Sequence, residues 1–160
     1  MEIIEYKNEY SENVKDLLVE LQEFIASIDE EKLNIVTPEF REVYFKDMID
    51  NVNNNEGIIY VAKEDNKIVG FIAGVLVEYD DIDKYGYVIH KRGEVIELMV
   101  TNNVQSKGIG SKLLEKIEEY FKSIDCLYIQ IDVFGYNKNA IKFYDKHGYD
   151  SRLITVVKKI

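Results

Sequence analysis

Cysteine and histidine are nearly missing from this sequence, and their scarcity removes whole classes of function. Cys126 is the single cysteine, so no internal disulfide can form, and a reducing compartment, the cytoplasm, is the expected home. The two histidines, His90 and His147, stand far apart, and neither has a cysteine or histidine neighbour at ligand spacing. That excludes the usual zinc-enzyme patterns, and no metal is expected. No apolar run reaches the roughly 20 residues that a membrane-spanning helix needs. The opening Met1-Glu2-Ile3-Ile4-Glu5 has neither the basic nor the apolar region of a signal peptide, so no membrane association is expected. Positive charge is scarce too: 20 Lys and Arg against 30 Asp and Glu leave a net charge of -10. Such a surface repels phosphate backbones, so nucleic acid is not an expected partner. The acidity either serves solubility alone or also draws in cationic molecules such as amines.

What remains is ordinary for a globular chain, with 46% hydrophobic and 31% charged residues. No repeat, low-complexity tract or linker interrupts it, so residues 1–160 are expected to form a single domain. Residues 1–6 suit an edge strand. Tyr10, Val14, Leu17, Leu18, Leu21, Ile25 and Ile28 then recur at helical spacing, with Ser11 as the capping residue. Pro38 suits the first turn of a second helix over about 39–51, which the Asn-rich stretch before Gly57 stops. Strands are predicted over 58–63, 68–77 and 93–100, the second a buried apolar run whose Gly70 and Gly74 mark bends or close approach. A strongly amphipathic helix follows over 108–123, then a strand over 127–134, a short helix over 137–147 stopped by Gly148, and a final strand over 154–160. This order predicts an α/β (α+β) mixed sheet with helices on both faces.

The most informative segment is the turn from the 93–100 strand into the 108–123 helix. Gly108 and Gly110 allow backbone to approach a ligand closely. The first amides of a helix lack internal partners and sit at the positive end of its dipole, which suits a pyrophosphate. Lys107 and Lys112 add positive charge. A P-loop would need Gly-Lys-Ser/Thr here, and a dinucleotide fingerprint a third glycine where Leu113 stands. Gln105-Ser106-Lys107-Gly108-Ile109-Gly110 instead resembles the Gln/Arg-x-x-Gly-x-Gly/Ala turn of the GNAT N-acetyltransferase superfamily. Beyond the next strand, the segment from Asn137 through Ala140, Phe143, Tyr144 and Gly148 to Tyr149 resembles that family's Asn-x-x-Ala-x-x-Phe/Leu-Tyr-x-x-x-Gly-Phe/Tyr pattern. The resemblance covers roughly residues 58–160 and is carried by two motifs in the family's order.

The resemblance implies a mostly antiparallel sheet splayed between its two middle strands, with the pantetheine arm of acetyl-CoA in the gap. It places the cofactor on backbone groups of Leu98, Met99 and Val100, on the turn from Gln105, Ser106, Lys107, Gly108, Ile109 and Gly110 to Ser111 and Lys112, and on Asn137, Asn139 and Tyr144 of the opposite wall. Asn137 also suits a simple helix N-cap, and the two roles are compatible. Tyr144 stands where the family has its general acid. The general base is open between Glu94 and Glu97. Family members carry it at the position of Glu94 or at that of Ile96, and strict strand alternation would let only one of the two carboxylates reach the pocket. The implied activity is transfer of an acetyl group from acetyl-CoA to a primary amine of a small molecule or protein. A non-catalytic acyl-CoA sensor, or nucleotide binding by the same turn, are the other readings. Acidic residues at Asp29-Glu30-Glu31 and at Glu78, Asp80, Asp81 and Asp83 are expected to border the acceptor entrance, either selecting a cationic acceptor or simply solvating two loops. Tyrosine-rich surface allows a homodimer without locating its face.

Overall fold

The computed structural model describes residues 1–104 and 108–160. Its elements are β1 (Glu2–Glu5), α1 (Ser11–Ile28), α2 (Phe40–Asn54), β2 (Ile58–Glu64), β3 (Lys67–Leu76), β4 (Arg92–Val100), α3 (Ile109–Ser123), β5 (Tyr128–Ile131) and α4 (Lys138–Lys146). The strands form one sheet in the order β1-β2-β3-β4-β5. All neighbours are antiparallel except β4 and β5, which run parallel. The parallel pair follows from the α3 crossover between them, since parallel strands cannot be joined by a tight hairpin.

The apolar stripes predicted from sequence set the two layers. Val14, Leu17 and Leu18 of α1 and Met48 and Val52 of α2 pack with Phe71, Ala73, Val75 and Met99 on one face. Ile109, Leu113, Leu114, Ile117 and Phe121 of α3 pack with Ile72 and Val95 on the other, where Phe143 and Tyr144 of α4 join them. Strand β3 is buried along most of its length because helices cover both its faces. No helix among the described residues is long and apolar enough to cross a membrane.

Gly74 and Gly93 are where α3 presses onto the sheet. A Cβ at Gly93 would lie 2.6–2.7 Å from ring atoms of the fully buried Phe121, and one at Gly74 would lie 2.6 Å from Ile117 Cδ1. Gly93→Ala is therefore expected to cost about 1–3 kcal/mol through overpacking. A lowered urea midpoint at unchanged slope is the signature; an unchanged midpoint would show that the ring moves aside freely.

Three local expectations are corrected. Ser11 opens α1 but does not cap it: a 3₁₀ turn over Asn8–Tyr10 leads in, and no side chain caps the helix. Strand β5 stops at Ile131, short of the predicted 134. The predicted final strand over 154–160 is absent: residues 151–160 are exposed and form no regular structure. Local β-preference becomes a strand only by pairing with another, and residues 151–160 pair with no strand among the described residues.

Candidate active site

The pairing of β4 with β5 is short, because β5 ends at Ile131. These strands pair only from Arg92 opposite Tyr128 to Val95 opposite Ile131. Beyond that, β4 stays bonded to β3, with Glu97 opposite Ala73 and Val100 opposite Gly70. On its other side, no strand pairs with β4 from Ile96 onward among the described residues. The register slips at the same place. Gly74 faces Val95 and Ala73 faces Glu97, so Ile96 is an extra residue. Such a bulge bends its strand and increases its twist, and it falls where the β4–β5 pairing ends.

The bulge also decides how the two carboxylates are presented. Val95 and Leu98 pack in the α3 layer, whereas Ile96 and Met99 pack in the α1–α2 layer. Simple alternation is broken between them. The half-buried Glu97 reaches the α2 side, where its carboxylate accepts a 2.5 Å hydrogen bond from the Tyr44 hydroxyl. Burial raises the Glu97 pKa, and the Tyr44 hydrogen bond partly opposes this by favouring the charged form. Burial and the Glu97 charge together hold the Tyr44 phenol well above its ordinary value. Glu94 lies instead in the closed half of the pair, opposite Gln130 of β5 and Val75 of β3. Tyr44 is the residue that sequence reasoning missed. Its signal was present: Tyr44 stands one and two helical steps of four from the buried Met48 and Val52, so it shares their sheet-facing stripe.

At the start of α3, Gly108 adopts a left-handed conformation, φ 76°, and its missing side chain faces open space, with no atom within 4 Å of a built Cβ. Conformation, rather than crowding by protein, requires glycine there. A Cβ on Gly110 would meet Phe143 at an ordinary 3.5 Å, which fits a pattern tolerating Gly or Ala. The Lys112 amide already donates to the Gly108 carbonyl at 3.2 Å. Only Ile109, Gly110 and Ser111 thus bring early α3 amides ahead of the first helical bond. The Ile109 side chain is buried, so only its main chain can serve a ligand. Gln105, Ser106 and Lys107 lie outside the described residues.

The Acetyltransferase (GNAT) family model matches residues 21–149. The chain belongs to this family. Among its relatives, the N-acetyltransferase MJ1530 of Methanocaldococcus jannaschii, itself uncharacterized, is 34% identical over 94 residues, covering 58% of this chain and 53% of that protein. A second M. jannaschii N-acetyltransferase, MJ1207, is 28% identical over 109 residues, covering 68% and 45%. The chain thus spans about half the length of the curated relatives it matches. A solved variant of the BH1408 protein of Bacillus halodurans superposes with a TM-score of 0.88 at 20% identity, over 100% of this chain and 99% of that one. The aminoglycoside N-acetyltransferase AAC(6')-Iy, solved with CoA, superposes with a TM-score of 0.68 at 13% identity, over 99% and 100%. These likenesses show the fold.

In this GNAT chain, α4 follows β5 and packs Phe143 and Tyr144 into the α3 layer. Asn137 is its N-cap, accepting from the Ala140 amide at 3.0 Å, which leaves its side-chain NH₂ outside that bond. Asn139 is exposed in the first turn. The Tyr144 ring lies between Phe143 and Tyr149, with centroids 5.2 and 5.7 Å away. Burial, then the charge of Glu97, pushes its phenol up to about 12, so it is protonated across the physiological range. Its hydroxyl makes no hydrogen bond among the described residues. His147 joins α4 to the α3 start. Its Nδ1–H donates to the Phe143 carbonyl at 2.7 Å, and Nε2 faces the Ser111 hydroxyl at 3.0 Å.

The two acidic loops do not frame one entrance. Asp29 is buried as an internal staple, accepting from the Leu33 and Asn34 amides at 2.7 Å each and from the Asn34 side chain at 3.0 Å. Those bonds, the Asn34 side chain first, hold its carboxyl below the usual range. Glu31 accepts from Tyr136 at 2.7 Å, which ties this loop to the turn after β5. The loop with Glu78 and Asp83 follows the far end of β3, where Leu76 faces Gly93, opposite the end where Gly70 faces Val100.

Proposed function

We propose that this GNAT protein transfers the acetyl group of acetyl-CoA directly to a primary amine on a small molecule or protein. The observation carrying this reading is that β4 has no β5 partner beyond Val95, on the way to the glycine turn into α3. A strand edge of this kind suits an extended pantetheine arm, with backbone of Leu98, Met99 and Val100 along one side as in strand addition. The open space in front of Gly108 and the amides of Ile109, Gly110 and Ser111 suit the diphosphate, and Lys112 adds charge nearby. Asn137 and Asn139 border the same wall.

Glu97 and Tyr144 then divide the proton work. The amine is charged at neutral pH and must lose a proton before attack. Glu97, with its raised pKa, is matched to accept it, directly or through water. The amine nitrogen forms a bond to the thioester carbonyl carbon, and a β4 amide beside the bulge polarises the carbonyl oxygen. The carbon–sulfur bond breaks, the departing thiolate takes the Tyr144 proton, and the second proton of the attacking nitrogen returns to the Tyr144 phenolate through water as the neutral amide forms. Glu94, in the closed half of the strand pair, is left as a structural residue.

The test is thiol release from acetyl-CoA with a panel of primary amines, together with mass detection of acetylated product. Binding of CoA without any thiol release would overturn the enzyme reading in favour of a sensor. Gly108→Asp is expected to raise the Kd for CoA about tenfold or more, roughly 1.4 kcal/mol per decade. Aspartate tolerates the left-handed conformation, so the fold is kept while a carboxylate faces the diphosphate. Unchanged affinity by calorimetric titration would remove the cradle.

A further inference from the structure

We infer that the pocket between the end of α2 and the start of β4 is a second binding site, suited to a small organic monocarboxylate held by Arg92. The pocket has a volume of about 500 Å³, within the range of small-molecule sites. Alternation along β4 aims Arg92 into it. Gly93 faces α3, since a Cβ there would meet the Phe121 ring. Arg92 beside it therefore faces the α2 side, where Asn54 and Glu56 line the same pocket. Five residues along β4 lead from Arg92 to Glu97, on the order of 15 Å at the rise of a strand. The pocket thus stands apart from the proposed reacting centre.

Arg92 is an unsatisfied cation in an acidic chain. Of the three arginines, Arg41 is bound by Glu12, Asp16 and Glu42, and Arg152 lies in the exposed C-terminal segment. Arg92 is half-buried and forms no ion pair among the described residues, not even with Glu94, two residues on along the same face. Its Nε is buried without a hydrogen-bond partner, although nearly all buried polar groups find one. The terminal nitrogens make no hydrogen bond among the described residues either, and unlike Nε they are not sealed from solvent. The guanidinium lies over the Tyr79 ring, 4.7 Å from its centroid, a contact that fixes its plane. His90 steadies that ring: Nε2 meets the Tyr79 hydroxyl at 3.3 Å, and Nδ1 bonds the Val88 carbonyl at 2.7 Å. A guanidinium held this way presents a fixed fork, which a carboxylate matches with two parallel hydrogen bonds.

The rest of the lining sets the charge and the body of the ligand. Glu56 and Glu78 stand against Lys91 and Arg92, so these formal charges cancel. The pocket has no surplus positive charge to hold a dianion such as phosphate, whereas one guanidinium neutralises one carboxylate. Leu76, Val77 and Ile89 supply apolar wall, which suits an apolar body behind the carboxylate.

The Nε–H groups of the three arginines report directly, each as one signal in a proton–nitrogen NMR spectrum of the full chain. Benzoate is the probe, titrated to about 20 mM, which reads Kd values into the millimolar range. It is expected to move the Arg92 signal saturably and to leave those of Arg41 and Arg152 in place, with or without saturating CoA. Inorganic phosphate, and benzylamine, which has the ring without the carboxylate, should leave the Arg92 signal unmoved. Arg92→Lys keeps the charge but loses the fork, and should raise the benzoate Kd about tenfold or more, read from the backbone signals of Tyr79 and His90. An Arg92 signal in the parent that ignores benzoate overturns the proposal without recourse to any variant. So does benzoate displaced by CoA, which would place it in the cofactor site, or an equal response to phosphate or benzylamine.

Discussion

Glu97→Gln is expected to lower turnover by about 10²–10⁴-fold, the usual worth of a positioned proton acceptor, and to raise the thermal midpoint at neutral pH. The two effects share one cause. Burial raises the Glu97 pKa, so the folded protein keeps a proton at pH values where the unfolded chain has lost it. Between the ordinary carboxylate value and the raised one, stability therefore falls as pH rises. Above that window the ionised carboxylate is a cost to the fold, which glutamine removes while its oxygen still accepts from Tyr44. The pH dependence of kcat/KM supplies the independent check. Its acid limb should titrate above the ordinary carboxylate range in the parent and vanish in Glu97→Gln. Tyr44→Phe should move the limb to higher pH, because the lost hydrogen bond favours the charged form. An acid limb that ignores both substitutions would return the base to Glu94 or to water.

Much of this arrangement is visible in the sequence because it depends on local chemistry. The amphipathic pattern over 108–123 predicts a helix with one buried face, and the Gly108 turn marks where that helix begins. Asn137 reads as an N-cap and is one. The fate of Glu97 could not be read this way. Its direction depends on a one-residue slip against β3, and a bulge is a property of two strands paired together. Nothing in the β4 sequence alone says that Ile96 is the surplus residue. Tyr44 was hidden for a related reason: its partner lies 53 residues away, and periodicity assigns a face but not a neighbour. The acidic residues near Asp29 carry two readings in sequence, acceptor-selecting charge or a solvated loop. Composition cannot distinguish a carboxylate facing solvent from one consumed by four hydrogen bonds inside its own loop. The C-terminal segment is the converse case. Its sequence reads as a strand, yet residues 151–160 form no regular structure, because local preference alone does not make a strand.

Tyr144→Phe separates chemistry from packing more cleanly than any other substitution in the site. The phenylalanine keeps the ring between Phe143 and Tyr149 and removes only a hydroxyl without a hydrogen-bond partner among the described residues. Stability should therefore stay within about 0.5 kcal/mol of the parent, as for changes that break no named interaction. Turnover should fall by about 10²-fold or more, since a thiolate would then leave without a proton donor, and the KM for acetyl-CoA should change far less. The same phenol, pushed up to about 12, should impose no alkaline limb on the parent below about pH 10, where unperturbed tyrosine begins to titrate. A variant with parental kcat would make Tyr144 a packing residue and leave proton donation to solvent. A variant that loses kcat and thermal midpoint together would mean that the hydroxyl holds the fold. Loss of kcat alone is what a donor without a hydrogen-bond partner among the described residues should give, because its use is then in a transition state that the resting protein does not contain.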